Sequence, residues 1–331
     1  MRRVLIIQTA FIGDVVLASA MLESLHQAFS SVEIDILVRK GNESLFIGHP
    51  YLHKTLVWNK QKAKYKHLWQ LLTQIRKNEY DAVINLQRYA ATGFLTAFSG
   101  AKEKIGFNKN PLSPLFTKVI QHQMGSSSGL HEIERNQLLL YWPEAKLCMP
   151  KLYPSKSDIE FVEQYKSQKY ICIAPSSVWL TKQFPSEKWV AFLKQLPSDI
   201  TIYMLGGSND AALCQEIIDR SGNSLSLNLA GKCNFLQSAA LMQDAIMNYV
   251  NDSAPMHFCS SVNAPVTAIY CSTIPGFGYG PLSTNSFIVQ INKELACRPC
   301  GLHGKKQCPE GHFDCGYKIE IAQLIRCLPA S

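Results

Sequence analysis

No apolar run in the 331 residues reaches the ~18 needed to cross a bilayer, because Gly, Ser, Asn or Pro interrupts every long uncharged stretch. Glycine and proline are sparse, at 19 and 16, and the chain is 47% hydrophobic and 18% charged, which excludes collagen-like, low-complexity and disordered classes. A G-x-G-x-x-G dinucleotide fingerprint is missing: the first loop, Thr9 to Asp14, holds one glycine, which argues against a nicotinamide cofactor. Zinc-finger, basic-heptad and RNA-strand signatures are absent too, so nucleic acid is not an expected partner. The opening Met1-Arg2-Arg3-Val4-Leu5-Ile6-Ile7 imitates a signal peptide, but the apolar run stops at Gln8 and Gly13-Asp14 follow without a small-residue cleavage site, so the cytoplasm is the expected compartment. Eleven cysteines, an odd number, with Cys148, Cys172, Cys214, Cys233, Cys259, Cys271 and Cys327 each alone in apolar surroundings, read as reduced small hydrophobes and not as a disulfide framework.

What is present is length for about two domains and a formal charge of +8, which suits an anionic partner. The opening reads strand, loop, helix: Val4 to Ile7, Thr9 to Asp14, then Val15 to Phe29 with Val16, Ala20, Leu22 and Leu25 spaced for one face. Val32 to Val38 and Tyr80 to Leu86 are further strand candidates around a helix from Lys66 to Lys77. Residues 108–130, with Pro111, Pro114 and Gly125 to Gly129, fit neither period and read as an exposed loop, either substrate-facing or mobile. A Pro-punctuated stretch from Pro143 to Ser157 reads as a linker, dividing a lobe of residues 1–155 from one of 156–331. The second lobe repeats the alternation: strands at Lys169–Ala174, Ile200–Leu205, Ala245–Val250 and Val266–Tyr270, helices at Ser186–Leu196, Asn209–Ser221, Leu236–Gln243 and Ala254–Val262, with Ser186 as an N-cap. Alternating strands and helices imply α/β lobes with parallel sheets, and two such lobes suggest a ligand in the cleft between them.

Three loops carry candidate chemistry. Asn251-Asp252-Ser253-Ala254-Pro255-Met256-His257 follows a strand and opens a helix; Asp252 or Ser253 can cap, Pro255 suits the first turn, and the N–H groups with His257 could meet a phosphate. Ala174-Pro175-Ser176-Ser177-Val178-Trp179-Leu180-Thr181-Lys182 also follows a strand, and Ser176, Ser177, Thr181 and Lys182 could hold a diphosphate. In the first lobe Asp14, at the mouth of a helix, is either an N-cap or a general base for an acceptor hydroxyl.

The ordered set Gly13-Asp14-Val15, Ala174-Pro175-Ser176-Ser177 with Lys182 and Pro185, Gly231-Lys232, Asn251 to His257, and Ser272-Thr273-Ile274-Pro275 resembles bacterial heptosyltransferases of glycosyltransferase family 9 over nearly the whole chain. The tail Cys297-Arg298-Pro299-Cys300, Cys308-Pro309-Glu310-Gly311-His312 and Cys315 is similar to the lipopolysaccharide heptosyltransferase II branch. The resemblance implies a GT-B fold of two Rossmann-like lobes, with an acceptor in the first and an ADP-linked heptose in the second, and an inverting transfer of heptose to the inner core of lipopolysaccharide. It matches Asp14 to the catalytic base, Lys182 to the residue that neutralises the diphosphate, Asp252 to contact with donor sugar hydroxyls, and Ser253 and His257 to the phosphates. Two positions depart from the family pattern: Ala254 stands where glycine is frequent, and Gln183-Phe184 where a basic or aromatic residue precedes Trp.

The logic of that reaction needs a base at the acceptor and cationic stabilisation of the departing diphosphate, roles open to Asp14 and to Lys182 with Ser253 and His257, so no metal is required. Cys297, Cys300, Cys308 and Cys315 are zinc-compatible ligands, but the second pair lacks the short C-x2-4-C spacing of a zinc ribbon, and the expectation is reduced thiols in a packed tail. The dense basic segment from His53 to His67, with Trp58, Tyr65 and Trp69 interleaved, reads as a solvated helix-and-loop face or as a surface for anionic lipid head groups at the inner membrane or for the acidic core of the acceptor. Arg88 and Arg135 are either acceptor-binding residues for a lipid-linked anionic saccharide or surface ion-pair residues. A nucleotide-sugar epimerase and a non-catalytic nucleotide-sugar binder stay open as competing readings of the same loops.

Overall fold

The computed structural model describes residues 1–61, 63–123 and 129–329, and the chain divides into two units, Met1–Tyr153 and Pro154–Ser331. Lys62 of the basic segment and Gly125 to Ser128 of the expected loop lie outside the described residues.

The first unit holds strands β1 (Arg3–Ile7), β2 (Glu33–Arg39), β3 (Leu52–Trp58), β4 (Ala82–Asn85), β5 (Glu103–Phe107) and β6 (Lys118–Ile120), with helices α1 (Ile12–Ala28), α2 (Lys64–Lys77), α3 (Ala90–Ala97) and α4 (Glu132–Gln137). All strand pairs are parallel, in the order β3-β2-β1-β4-β5-β6. Val4 to Ile7 are fully buried, as a central strand covered on both faces requires. Helix α2 is amphipathic: Leu68, Leu71, Leu72 and Ile75, at i, i+3, i+4 and i+7, pack with Leu5, Ile7 and Leu37. Each such side chain contributes about 1.5–3 kcal/mol of burial.

Four expectations change here. The basic segment begins with β3 and is not a helix-and-loop face throughout; its one-residue register shift against β2 obscures the alternation. Residues 108–130 contain β6, a three-residue edge strand on β5 that is too short to show a period. Helix α1 buries Val15 to Leu22, Ser24 and Leu25, so it has no single apolar face. The reason is that the expected linker packs on it: Lys151 N–H donates to Ser19 Oγ (2.8 Å), Cys148 N–H to Ser24 Oγ (3.2 Å) and Tyr153 Oη–H to the Glu23 carboxylate (3.0 Å).

The second unit holds β7 (Tyr170–Ala174), β8 (Thr201–Met204), β9 (Ser226–Asn228), β10 (Met247–Asn251), β11 (Val266–Tyr270) and β12 (Ser286–Gln290). Its helices are α5 (Lys156–Glu163), α6 (Ser186–Leu193), α7 (Ala211–Ser221), α8 (Phe235–Gln243), α9 (Ala254–Ser261), α10 (Asp314–Tyr317) and α11 (Ile321–Ile325). The sheet order β12-β11-β10-β7-β8-β9, again parallel, is that of the first unit. Its core joins Ile171, Ile173, Phe184, Trp189, Phe192, Met204 and Tyr249. Ser186 is the first residue of α6 and not its cap, since Pro185 holds the extended cap position and fixes φ at −56°.

In both units the helices after the two central strands leave in opposite directions. That places a crevice at the carboxyl ends of β1 and β4 in one unit and of β7 and β10 in the other. Among the described residues no helix is long and apolar enough to cross a membrane.

Candidate active site

In the second unit Val250 lies beside Ala174, so the loops after β7 and β10 begin side by side. Asn251, fully buried, ties them: its Nδ2 donates to Pro175 O (2.7 Å) and Ser176 O (3.4 Å), and its Oδ1 accepts from Phe184 N–H (2.8 Å). Both ends of the 175–184 loop are thereby fixed to one strand. Gln183 Nε2 closes the interior by donating to Ser177 O (2.6 Å), while Phe184 packs edge-on against Trp189 as a core residue.

This frame brings Lys182 onto Asp252, with Nζ 2.7 Å from Oδ2 and side chains only 15% and 8% exposed. Thr273 Oγ1–H donates to the same carboxylate oxygen at 2.6 Å. An ammonium has three donors, and Asp252 takes one, so Lys182 can hold Asp252 and still donate to an anion. Ser253 occupies the N-cap of α9 but does not cap it; its hydroxyl donates to Asn251 O (3.4 Å), leaving the helix start without the usual side-chain acceptor. His257 is buried one turn into α9, and Ser176 and Ser177 are half-buried at the start of the neighbouring loop. Gly231 belongs to the same carboxyl edge: its N–H donates to Gly206 O (2.9 Å), and a Cβ there would come within 2.8 Å of Ser208 Cα at a φ of +76°.

The cysteine tail proves to be a brace for this site. Thr181 N–H donates to Lys305 O (3.1 Å), Lys305 N–H to Thr181 Oγ1 (2.8 Å), Ser272 Oγ–H to Thr181 Oγ1 (3.0 Å) and Cys300 N–H to Ser272 O (2.9 Å). Arg298 donates to Cys271 O (2.7 Å), Tyr270 O (3.3 Å), Thr273 O (2.7 Å) and Gln290 Oε1 (2.8 Å), fixing the loop that carries Thr273. Gly304 lies so close to Lys182 that a Cβ would meet Lys182 Cγ at 2.8 Å. Thr273, Arg298 and Gly304 were not site residues on sequence grounds; a lone arginine between two cysteines carries no signal for four carbonyl and amide acceptors that only the fold assembles. Among the described residues no group of three or more His, Cys, Asp or Glu side chains is placed to hold a metal; in the tail Cys297 Sγ lies 4.0 Å from His312 Nε2, and His312 Nδ1 3.6 Å from Asp314 Oδ1. Burial pushes the Cys300 thiol up and that of Cys315 up to about 12.

In the first unit Asp14 is half-buried in the first turn of α1, two residues beyond its start. It is not the N-cap, because the helix begins at Ile12 after Phe11. Its loop is pinned from two sides: Lys60 Nζ donates to Thr9 O (2.8 Å) and Thr9 Oγ1 (3.0 Å), and Asn42 Nδ2 to Ala10 O (3.2 Å). The loop after β4 is tied to the one after β5, Asn110 Nδ2 donating to Gln87 O (2.8 Å) and Tyr89 O (3.1 Å), and Gln87 Nε2 bonds Gln8 Oε1 across the crevice. Arg88 is exposed, its guanidinium 5.4 Å from the Tyr89 ring centroid. Arg135, by contrast, is 1% exposed, its Nε donating to Glu132 Oε2 (2.9 Å), so it is a buried ion-pair residue and not a surface one. Lys109, missed in the sequence, sits over the Phe107 ring at 4.9 Å, and burial brings its pKa down to about 8, with Glu132, Arg135, Arg88 and Asp14 all within electrostatic reach. Burial likewise brings Lys60 down to about 8, with Arg39 and Lys64 adding repulsion.

Two doubly wound units, each with polar and cationic loops at its switch point, are the architecture of the GT-B class. The chain belongs to glycosyltransferase family 9 (heptosyltransferase), whose model matches residues 68–313. It is 23% identical over 303 residues to the lipopolysaccharide core heptosyltransferase OpsX of Haemophilus influenzae, covering 89% of this chain and 86% of that one. It is also 23% identical over 347 residues to lipopolysaccharide heptosyltransferase 1 of Campylobacter coli, covering 98% and 97%. The solved ADP-heptose lipopolysaccharide heptosyltransferase II of Escherichia coli superposes with a TM-score of 0.78 at 18% identity, covering 99% of this chain and 98% of that one.

Proposed function

We propose that the protein transfers L-glycero-D-manno-heptose from ADP-heptose to the inner core of lipopolysaccharide with inversion, and that it adds the second heptose onto the first. The observation that carries the donor half is the Lys182–Asp252 pair at the β7/β10 switch point, beside the open start of α9. Lys182, the α9 N–H groups, Ser253 and His257 take the diphosphate, with Ser176 and Ser177 on the adjoining loop, and Asp252 accepts from sugar hydroxyls. The type II assignment rests on the Cys297 to Cys315 tail, since the relatives named above carry different type numbers.

In the first unit Asp14 acts as base. Its carboxylate takes the proton of an acceptor hydroxyl, whose oxygen forms the new bond to the anomeric carbon as the bond from that carbon to the diphosphate breaks. The electron pair of the broken bond leaves on ADP, where Lys182 and the helix start offset the charge. Arg88 and Lys109 attract the anionic acceptor, and Arg135, buried on Glu132, acts through the position and field of Lys109. The acceptor is lipid-linked, so the reaction takes place at the cytoplasmic face of the inner membrane.

The test is transfer from ADP-heptose to lipopolysaccharide lacking all heptose and to lipopolysaccharide carrying one, read by mass. A gain of one heptose on the second acceptor alone supports the type II reading, and a gain on the first alone replaces it with type I. Rearrangement of the donor sugar without any acceptor would instead mark an epimerase.

A further inference from the structure

The charge of the chain is confined to one unit. Met1–Tyr153 holds 19 lysines and arginines against 11 acids, and the remainder holds 14 against 14, so the whole +8 belongs to the first unit. Within it, Ser44 to Asn78 contains seven lysines and arginines and no acid. The same stretch and the neighbouring α3 carry apolar side chains that are exposed. Tyr65 and Trp69, one turn apart on α2, are 73% and 61% exposed, and Phe98, just beyond α3, is 47% exposed. The rings are continuous: Trp69 meets Phe94 edge-on at 5.5 Å, and Phe94 meets Phe98 at 5.0 Å. A shallow hollow beside Trp69 is flanked by Lys66 and Lys77.

The geometry points to this α2–α3 face as the surface by which the protein docks on an anionic phospholipid bilayer. Aromatic rings on a helix flanked by lysines suit the headgroup boundary, where rings enter and ammonium groups meet phosphates. Charge complementarity argues against a second copy as occupant, because two such faces would bring like charges together. Helices α2 and α3 both start at the carboxyl edge of the sheet, the edge that carries Asp14 and Arg88. A bilayer on their flank would therefore present a lipid-linked saccharide to that edge, a consequence that rests on the proposed function, whereas the docking itself does not.

The experiment is co-sedimentation of the full chain with vesicles of phosphatidylcholine alone or mixed with phosphatidylglycerol. Binding is expected to the mixed vesicles and not to phosphatidylcholine at physiological salt. Lys66→Gln with Lys77→Gln lowers the partition constant by about 25-fold, at roughly fivefold per lysine, and Trp69→Ser with Phe98→Ser lowers it by about tenfold. Unchanged far-ultraviolet circular dichroism and an unchanged unfolding transition of the first unit, the one that ADP does not shift, show that each variant is folded. Equal binding to both vesicle types, wild-type binding by the Trp69/Phe98 variant, displacement from vesicles by RNA, or a solution dimer abolished by that variant would each overturn the proposal. Because neither donor nor acceptor is present, failure of vesicle binding leaves the transfer reading standing, and failure of transfer leaves vesicle binding standing.

Discussion

Replacing Lys182 by methionine separates its two roles, holding Asp252 and binding the donor. The variant leaves a carboxylate that is 8% exposed with Thr273 as its remaining donor. Removing one partner of a fully buried pair costs about 3–5 kcal/mol, and the 15% exposure of Lys182 brings this to about 2–4 kcal/mol. For ADP, the lost charge-assisted hydrogen bond is worth about 1.5–3 kcal/mol, and the uncompensated Asp252 charge adds repulsion, so Kd rises by roughly 100-fold at about 1.4 kcal/mol per decade. The double variant Lys182→Met with Asp252→Asn removes the stray charge while keeping an acceptor for Thr273. Its stability returns to within about 1 kcal/mol of the wild type, but its ADP affinity stays about tenfold weaker. The assays are calorimetric titration with ADP and urea unfolding, followed in the transition that ADP shifts, since a two-unit chain need not unfold in one step. Full recovery of ADP affinity in the double variant would mean that Lys182 serves only to neutralise Asp252, and the donor-site reasoning would fall.

Asp14→Asn is expected to lower the transfer rate by about 10²–10⁴-fold with ADP binding unchanged, as loss of a general base requires; an active variant would reduce Asp14 to a favourable charge in the first turn of α1. Gly304→Ala places a methyl against Lys182 at a φ of +73°, and should both lower the unfolding free energy by about 1–2 kcal/mol and weaken ADP, whereas an equal change at Gly311, φ +75° in open space, should leave ADP binding alone. Lys60 and Lys109 fall from 10.5 unfolded to about 8 folded, so between those values the unfolded chain holds protons that the folded one has released, and stability rises with pH across that window. Acceptor affinity runs the other way: the acceptor KM should climb above pH 8 as the Lys109 ammonium discharges, and Lys109→Met should flatten that climb.

Much of the α/β organisation was legible in the sequence because central parallel strands are buried on both faces and leave apolar runs such as Val4 to Ile7 and Val266 to Tyr270, each followed by a loop and a helix. Weaker elements were not legible. Edge strand β6 spans three residues, β3 carries His53 and Lys54 with a register shift, and the stretch before Tyr153 looks like a linker although Ser19 and Ser24 hold it against α1. For the site, the sequence supplied the residues of the loops after β7 and β10 and after β1, because polar side chains following an apolar strand have few other reasons to be there.

Which of those residues meet was decided by tertiary structure alone. Lys182 and Asp252 are 70 positions apart, and nothing local links them; they pair because β7 and β10 are neighbours at a reversal of strand order and Asn251 fastens both ends of one loop to the other strand. The same holds for the tail, whose cysteines read from the sequence as reduced thiols in a packed region: only the fold shows Arg298 and the backbone of Cys300 to Lys305 bracing Thr181 and Thr273. Local sequence fixes periodicity and turn chemistry, since these depend on neighbours along the chain. Hydrogen-bond partners across a sheet edge depend on strand order, which is settled only when the core closes.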